Sequence, residues 1–344
     1  MKAIRFYGPG DVRYESAPDA VLQDDSDVLV KVERCGICGS DLHIYQGLSG
    51  VAAGCSIGHE AIGEIVETGR SVRRFRTGDR VMLSAMVGCG RCVACLSGNM
   101  LRCKDGKLSG YGFGLGLDGC QADAVRVPMA DINVEKIPDG VSDNLALLLT
   151  DNLPTAFAAC KRADITPGAT VAVIGLGPIG LLAVQLAYAM GASVVVGIDI
   201  NPDRRAIAAG FGAVTFGPNN VVGEVRELTS GAMIDSVIEA VGSKTTVALA
   251  LELVGRMRTV SVLGNATEPT VTFPPETFLF GITFRVMYAT EVSRYWPELI
   301  PMVRSGRLQA EAVITHSFAM SDGAQAYSDY DKRLNGILKP ILIP

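Results

Sequence analysis

Two short stretches near the start of the chain concentrate residues able to bind a metal or move a proton. Cys38-Gly39-Ser40-Asp41-Leu42-His43 is followed by Gly58-His59-Glu60. The chain has only three histidines, and two of them fall here beside a cysteine. A lone histidine is usually a satisfied structural residue, whereas two in short motifs with a thiol point to a chemical site. Further on, Cys89, Cys92, Cys95 and Cys103 form C-x2-C-x2-C-x7-C within GCGRCVACLSGNMLRC. Four thiolates this close can close a tetrahedral site on one small loop, with Zn²⁺ as the usual occupant. An iron–sulfur run would have three residues before its last Cys and a Pro after it, and this loop has neither. A closed set of four thiolates has no open position, so it holds shape and does no chemistry. Free or redox cysteines are the alternative reading.

The third chemical stretch spans residues 170–199, TVAVIGLGPIGLLAVQLAYAMGASVVVGID. A β-branched run leads into Gly175-Leu176-Gly177-Pro178-Ile179-Gly180, an apolar helix follows, Gly191 stops it, and a second strand ends in Asp199. G-x-G-x-x-G alone is weak, but strand, turn, helix, strand and acid in that order are specific for a dinucleotide. The first glycine permits the tight turn, the second lets the backbone approach a pyrophosphate, and the third lets helix pack on strand. The helix N-terminus offers free N–H groups to the phosphates. Asp199 lies 19 residues after Gly180, where a carboxylate accepts from both ribose hydroxyls and repels a 2′-phosphate. NAD is therefore expected over NADP. Arg204, five residues beyond, is a candidate for the adenosine side of the cofactor or for a surface helix charge.

These sites need a scaffold of matching size. The 344 residues suffice for two domains with separate cores, and 48% apolar with 19% charged residues is ordinary globular composition. A net charge of −5 without a basic run argues against nucleic acid as a partner. The N-terminal MKAIRFYGPGDVRYE has no signal-peptide core. Residues 181–198 are apolar enough to suggest a membrane span, but Gly191 and the switch to Val194-Val195-Val196 divide them into a helix and a strand. Nine cysteines without that leader point to metal rather than disulfides, and to the cytoplasm.

Residues 1–150 read as mostly β, with alternating runs at 28–33, 60–68 and 80–84. Residues 170–288 then read βαβ repeatedly. Further strands are expected near 213–216, 236–240, 259–263 and 282–287, with helices at 202–209, 221–229 and 244–254 between them. With the two strands of the glycine-turn unit that makes six, the count of a full dinucleotide fold. A helix near 295–305 and strand-like ends return the tail to the first domain. The expected fold class is α/β, divided into a β-rich catalytic domain at 1–152 and 291–344 and a doubly wound six-stranded parallel sheet at 153–290.

CGICGSDLH, GHE, the four-cysteine lobe and GLGPIG, in this order, resemble the zinc-dependent medium-chain alcohol dehydrogenase family over essentially the whole chain. The resemblance implies a GroES-like catalytic domain, a Rossmann domain, and a cleft holding zinc and nicotinamide. It makes Cys38 and His59 catalytic zinc ligands and Glu60 a nearby carboxylate able to swing onto the metal. Many family members carry a third ligand Cys where this chain reads LLLTDNLPTAFAAC, with Asp151 at that position, 24 residues before Gly175. That is similar to bacterial secondary-alcohol dehydrogenases and formaldehyde dehydrogenases of the family; a helix cap is the other reading of Asp151. A Cys-His-Asp set keeps the open fourth position of a catalytic zinc. In the family a hydroxyl at Ser40 passes the substrate proton by way of the nicotinamide ribose to a histidine at His43, although a phosphate or ribose contact is the other role for His43. Thr155 matches the residue backing the nicotinamide, and Lys339 matches a basic residue meeting the pyrophosphate. Cys35, Cys55, Cys120 and Cys160 read as packing.

Pocket walls are expected from Ser40, Leu48, Met86, Tyr111 and Phe113. This apolar set beside a small hydroxyl favours a secondary alcohol and its ketone. A polyol or formaldehyde dehydrogenase of the same family, and a member that binds cofactor without catalysis, are the alternatives. A zinc-free quinone-type reductase would lack both cysteine motifs. The resemblance further implies a homo-oligomer, a tetramer or a dimer, paired through the strand at 282–287; the division of the apolar run at 181–198 leaves no membrane partner expected.

Overall fold

The computed structural model describes residues 1–104, 110–114, 116–265, 272–287 and 289–344. The chain divides into two compact units. Residues 1–154, 289–305 and 311–344 form the first, and residues 155–288 with 306–310 form the second.

In the first unit, β1 (Lys2–Gly8) and β2 (Asp11–Ser16) make a hairpin. The longest strand, β3 (Val28–Gly36), leads directly into α1 (Gly39–Tyr45). After β4 (Cys55–Ser56), which pairs with β1, β5 (Ala61–Thr68) runs antiparallel to β3, and β6 (Arg80–Leu83) runs antiparallel to β5. Thus the end of β3 and the start of β5 lie side by side, with Cys35 opposite Ala61. That register brings the two motifs that follow and precede these strands to one end of the sheet. The short α2 (Val93–Leu96) sits in the cysteine lobe, β7 (Ala124–Val127) pairs with β3, and α3 (Ala130–Asn133) leads to β8 (Val134–Lys136) on β6. The next helix, α4 (Asp143–Leu148), starts at Ser142, whose hydroxyl accepts from Leu145 N at 3.1 Å, and α5 (Asn152–Arg162) carries the chain onward.

The second unit alternates strictly: β9 (Thr170–Ile174), α6 (Pro178–Ala189), β10 (Val194–Ile198), α7 (Pro202–Gly210), β11 (Val214–Phe216), α8 (Val221–Leu228), β12 (Ile234–Glu239), α9 (Lys244–Leu253), β13 (Val254–Val262), α10 (Pro275–Phe280) and β14 (Thr283–Val286). All six strands are parallel, in the order β11-β10-β9-β12-β13-β14. The order reverses at β9, so the loop after β9 opens at the switch point where such sheets bind ligands. Helix starts follow their sequence signals: Pro178 and Pro202 stand at first helical positions, and the Asn201 side chain accepts from Asp203 N at 2.8 Å.

The chain returns to the first unit with α11 (Val292–Arg304), β15 (Ile314–Ala319), α12 (Gly323–Asp331) and β16 (Lys339–Ile343). The last strand pairs parallel to β15 and antiparallel to β3, completing a seven-stranded sheet. The expected assignment of the whole tail to the first domain needs one correction. Residues 306–310 belong to the second unit, where Gln309 N donates to the Gln185 side chain at 2.6 Å. Each unit has its own apolar core. The apolar run at 181–198 divides as expected into α6 and β10, and among the described residues no helix is long and apolar enough to cross a membrane.

Candidate functional site

Cys38 stands at the N-cap of α1, and His59 and Glu60 immediately precede β5. The β3–β5 pairing carries all three to one point, and Asp151, just ahead of α5, joins them. Ligand atoms of Cys38, His59, Glu60 and Asp151 all lie within 4.8 Å of one another. Asp151 Oδ2 is 3.8 Å from Cys38 Sγ and 3.7 Å from His59 Nε2. A tetrahedral ion with bonds of about 2.0–2.3 Å holds its donors roughly 3.3–3.8 Å apart, so this thiol, imidazole and carboxylate fit one zinc. Ser40 Oγ lies 3.5 Å from His59 Nε2, beside the same group.

Buried charge surrounds this set. Burial works against protonation of His59, but Asp41, Asp151 and Cys38 outweigh it and raise the imidazole well above its usual pKa. Burial also pushes the Cys38 thiol up. Such a site favours a cation in its midst, and a bound divalent ion would favour the deprotonated forms of both groups. Glu60 is wholly buried; its Oε1 accepts from Asn152 Nδ2 at 2.9 Å and its Oε2 is ion-paired with Lys339 Nζ. The expected place of Lys339 at the pyrophosphate is corrected here. At 1% exposure its ammonium is enclosed by Glu60 and by the Ile37 carbonyl, 3.0 Å away, because β16 inserts it beside the end of β3. The motif spacings contain no sign of this pair, nor of Asn152 at the start of α5, since only the folded chain unites them.

The cysteine lobe closes likewise. One ligand atom from each of Cys89, Cys92, Cys95 and Cys103 falls within the same 4.8 Å limit, with Cys89 Sγ 3.9 Å from Cys95 Sγ. Backbone N–H groups point at the sulfurs: Cys89 N to Cys103 Sγ and Cys92 N to Cys89 Sγ, both at 3.4 Å. Donors from Cys95 and Lys104 hold the Cys92 thiol down at about 6, whereas burial pushes Cys95 up to about 12. The buried Asn133 side chain ties the lobe's root by accepting from Gly88 N and donating to Gly88 O.

At the glycine turn of the second unit the three glycines differ in kind. Gly175 has φ +90°, which favours glycine. A Cβ on Gly180 would lie 1.9 Å from the Gly175 carbonyl oxygen, so helix and strand touch there. A Cβ on Gly177 would meet no atom of the described residues within 4 Å. No packing among the described residues requires glycine at 177; an open cradle at a helix N-terminus does, and a pyrophosphate fits it. Asp199 ends β10 with Oδ2 accepting from Leu176 N at 2.7 Å and Oδ1 from Asn201 N at 2.8 Å, and Arg204 lies 3.9 Å from it. Pro178 and Ile179 open α6 beside Gly177.

Residues 24–139 match the alcohol dehydrogenase GroES-like domain, and residues 178–305 match the zinc-binding dehydrogenase domain. The chain belongs to the zinc-dependent medium-chain alcohol dehydrogenases. It is accordingly an oxidoreductase. A Mycobacterium tuberculosis protein named "Probable zinc-binding alcohol dehydrogenase Rv1895" is 41% identical over 345 residues, covering 100% of this chain and 89% of its own. An L-threonine 3-dehydrogenase of Bacillus licheniformis is 33% identical over 358 residues, covering 100% and 99%. Among solved structures, alcohol dehydrogenase TADH from Thermus sp. ATN1 superposes with a TM-score of 0.95 at 34% identity, covering 100% and 99%.

For a dehydrogenase of this family the walls beside the metal residues matter most. Phe113 stacks on the His59 ring, and a Cβ on Gly110 would lie 2.7 Å from Phe113 and 3.5 Å from Met86 Sδ, so Met86 and Phe113 share one neighbourhood. Tyr111 is a correction. It is 1% exposed within the core of the first unit, and its hydroxyl has no partner among the described residues. Phe113, two residues on across the turn at Gly112 (φ +74°), is only partly buried against the same core. Leu48 is 63% exposed on the loop after α1 and is not a buried wall. Cys35, Cys120 and Cys160 are fully buried, as packing residues are.

Proposed function

We propose that this enzyme interconverts a secondary alcohol and its ketone with NAD, using one zinc held by Cys38, His59 and Asp151 and a second held by Cys89, Cys92, Cys95 and Cys103. The observation that carries it is the convergence of thiol, imidazole and carboxylate at zinc-ligand spacing, with Ser40 beside them. When bound, zinc supplies Lewis acidity toward an alcohol oxygen, and NAD accepts the hydride. The chain's own residues do the rest. Glu60, fixed by Asn152 and Lys339, keeps negative charge next to the metal residues. Ser40 and His43 are three apart on α1 and therefore share a face, the order a hydroxyl-to-imidazole proton path needs. Burial lowers the pKa of His43, leaving it neutral and able to accept that proton at pH 7.

The cofactor reading rests on Gly175, Gly177, Pro178, Ile179 and Gly180 for the pyrophosphate and on Asp199 for the ribose, with Arg204 at its side and Thr155 in the first turn of α5 behind the nicotinamide. A carboxylate ending β10 favours NAD over NADP. Met86 and Phe113 make the pocket apolar, and the relative named for the 3-position of threonine acts at a secondary carbinol. Nine free cysteines suit the cytoplasm. Exposed Met257, Phe278, Leu279 and Val286 around the edge strand β14 suit a homo-oligomer paired there, a dimer or tetramer.

The test is reduction of NAD and of NADP by a panel of secondary alcohols, polyols and formaldehyde, before and after chelation. Chelator-sensitive NADH formation from secondary alcohols is expected. NADP preference, or activity confined to polyols or formaldehyde, overturns the corresponding part. Asp151→Ala should abolish turnover while NAD still binds, and unchanged turnover removes Asp151 from the ligand set.

A further inference from the structure

Behind the cysteine–histidine–aspartate cluster runs a line of buried polar groups drawn from three distant parts of the chain. Asp41 Oδ2 accepts from Cys38 N at 2.9 Å, and Asp41 Oδ1 faces His59 Nδ1 at 3.2 Å. That last contact is at ion-pair distance, and neither atom makes a hydrogen bond among the described residues. Gln121, just ahead of β7, donates from Nε2 to the Gly36 carbonyl at 2.9 Å and to Asp41 Oδ2 at 3.4 Å. Tyr327, on α12, donates its hydroxyl to Gln121 Oε1 at 2.8 Å. Asp41, Gln121 and Tyr327 are each 0% exposed.

A carboxamide has one donating end and one accepting end, and here both are assigned. Turning Gln121 over would set its Oε1 against the Gly36 carbonyl and the Asp41 carboxylate, three acceptors with no proton between them. The Tyr327 hydroxyl closes the other end. Two donors, Cys38 N and Gln121 Nε2, then occupy Asp41 Oδ2 and leave Oδ1 to the Nδ1 side of His59. A proton kept on Nδ1 leaves the Nε2 lone pair aimed toward Cys38 and Asp151. The backbone makes room for this arrangement at Gly58, where a Cβ would lie 2.3 Å from Gln121 Cγ.

We propose that Gln121 and Tyr327 are positioning residues that, through Asp41, set the imidazole of His59 for metal binding. The proposal rests on the reading of His59 as a zinc ligand. It ties the affinity of the site to α12, an element that no metal-ligand motif touches.

The test uses the full-length protein loaded with zinc, and Gln121→Met and Tyr327→Phe beside it. Metal per chain is followed by elemental analysis across a graded chelator series. A parallel cobalt-substituted sample reports the geometry of the thiolate-containing site by its visible absorption. In Gln121→Met the equivalent assigned to Cys38, His59 and Asp151 should leave at about 10–100-fold lower chelator, with a changed cobalt spectrum, while the four-cysteine equivalent is unmoved. Tyr327→Phe should shift release in the same direction by a smaller factor, and it decides the matter if Gln121→Met does not fold. Release at wild-type chelator levels with an unaltered cobalt spectrum overturns the proposal, as does equal weakening of both equivalents, which marks a merely structural role. Cys38→Ser separates the two levels: if it still holds two equivalents, the ligand reading itself has failed.

Discussion

The ring of Phe113 lies over the imidazole of His59, with centroids 5.2 Å apart and planes inclined by 28°. An aromatic wall thus sits directly on a proposed metal ligand, where it limits the width of whatever approaches. Phe113→Ala should raise kcat/KM for bulky secondary alcohols relative to 2-propanol by about 10-fold, the scale of a pocket contact. Steady-state rates over a series of alkyl chain lengths check this, and an unchanged ranking removes Phe113 from the pocket.

Lys339 and Glu60 form a buried ion pair, so each holds the other's charge. Lys339→Met leaves a buried carboxylate facing Asn152 alone and should cost about 3–5 kcal/mol of stability. NADH affinity should stay within about twofold, well inside the tenfold that 1.4 kcal/mol represents. Urea unfolding and NADH fluorescence titration read the two quantities separately. A large loss of NADH affinity with unchanged stability would restore the pyrophosphate role.

The glycine turn separates folding from binding within four residues. Gly180→Ala drives a methyl into the Gly175 carbonyl and should destabilise the second unit by several kcal/mol, roughly the scale of overpacking. Gly177→Ala meets no atom of the described residues, so its melting temperature should hold while NAD affinity falls by about 10-fold or more. Calorimetry and cofactor titration on the pair would expose an error if Gly177→Ala bound NAD normally.

His43 gives a pH prediction with a definite sign. Burial lowers its pKa below the usual 6.5, so it is neutral at pH 7 and gains a proton only on acidification. Alcohol oxidation should therefore hold its kcat/KM as pH falls to about 6.5 and decline below that, with the limb displaced to lower pH than a free imidazole gives. The folded state binds that proton less readily than the unfolded chain, so the His43 contribution to stability is full above the unfolded pKa and is lost as pH falls toward the folded one. In His43→Gln the acid limb should be absent at a lowered rate; a limb that survives intact assigns the titration elsewhere.

Much of this protein is legible along the chain because its signals are local. Residues 170–199 contain strand, turn, helix and acid in contiguous order, and the six parallel strands repeat the same period, so the second unit could be read off almost whole. The four cysteines share one loop, Cys38 and His59 stand in short motifs, and the family resemblance adds Asp151 by its position. Folding brought each of these sets together.

Only the tertiary structure decided what surrounds them. Lys339 reads as a pyrophosphate contact because it matches a basic residue of the resembled family; pairing of β16 with β3 buries it on Glu60 instead. Tyr111 and Phe113 are two residues apart and look equivalent, yet Tyr111 is buried in the core whereas Phe113 is only partly buried and stacks on His59. The Asp41–Gln121–Tyr327 line joins positions more than two hundred residues apart through single hydrogen bonds. A local pattern is written in spacing because one element's geometry repeats at a fixed period. Partners brought together by strand register and by the return of the chain have no such period, and their chemistry exists only once the sheet has closed.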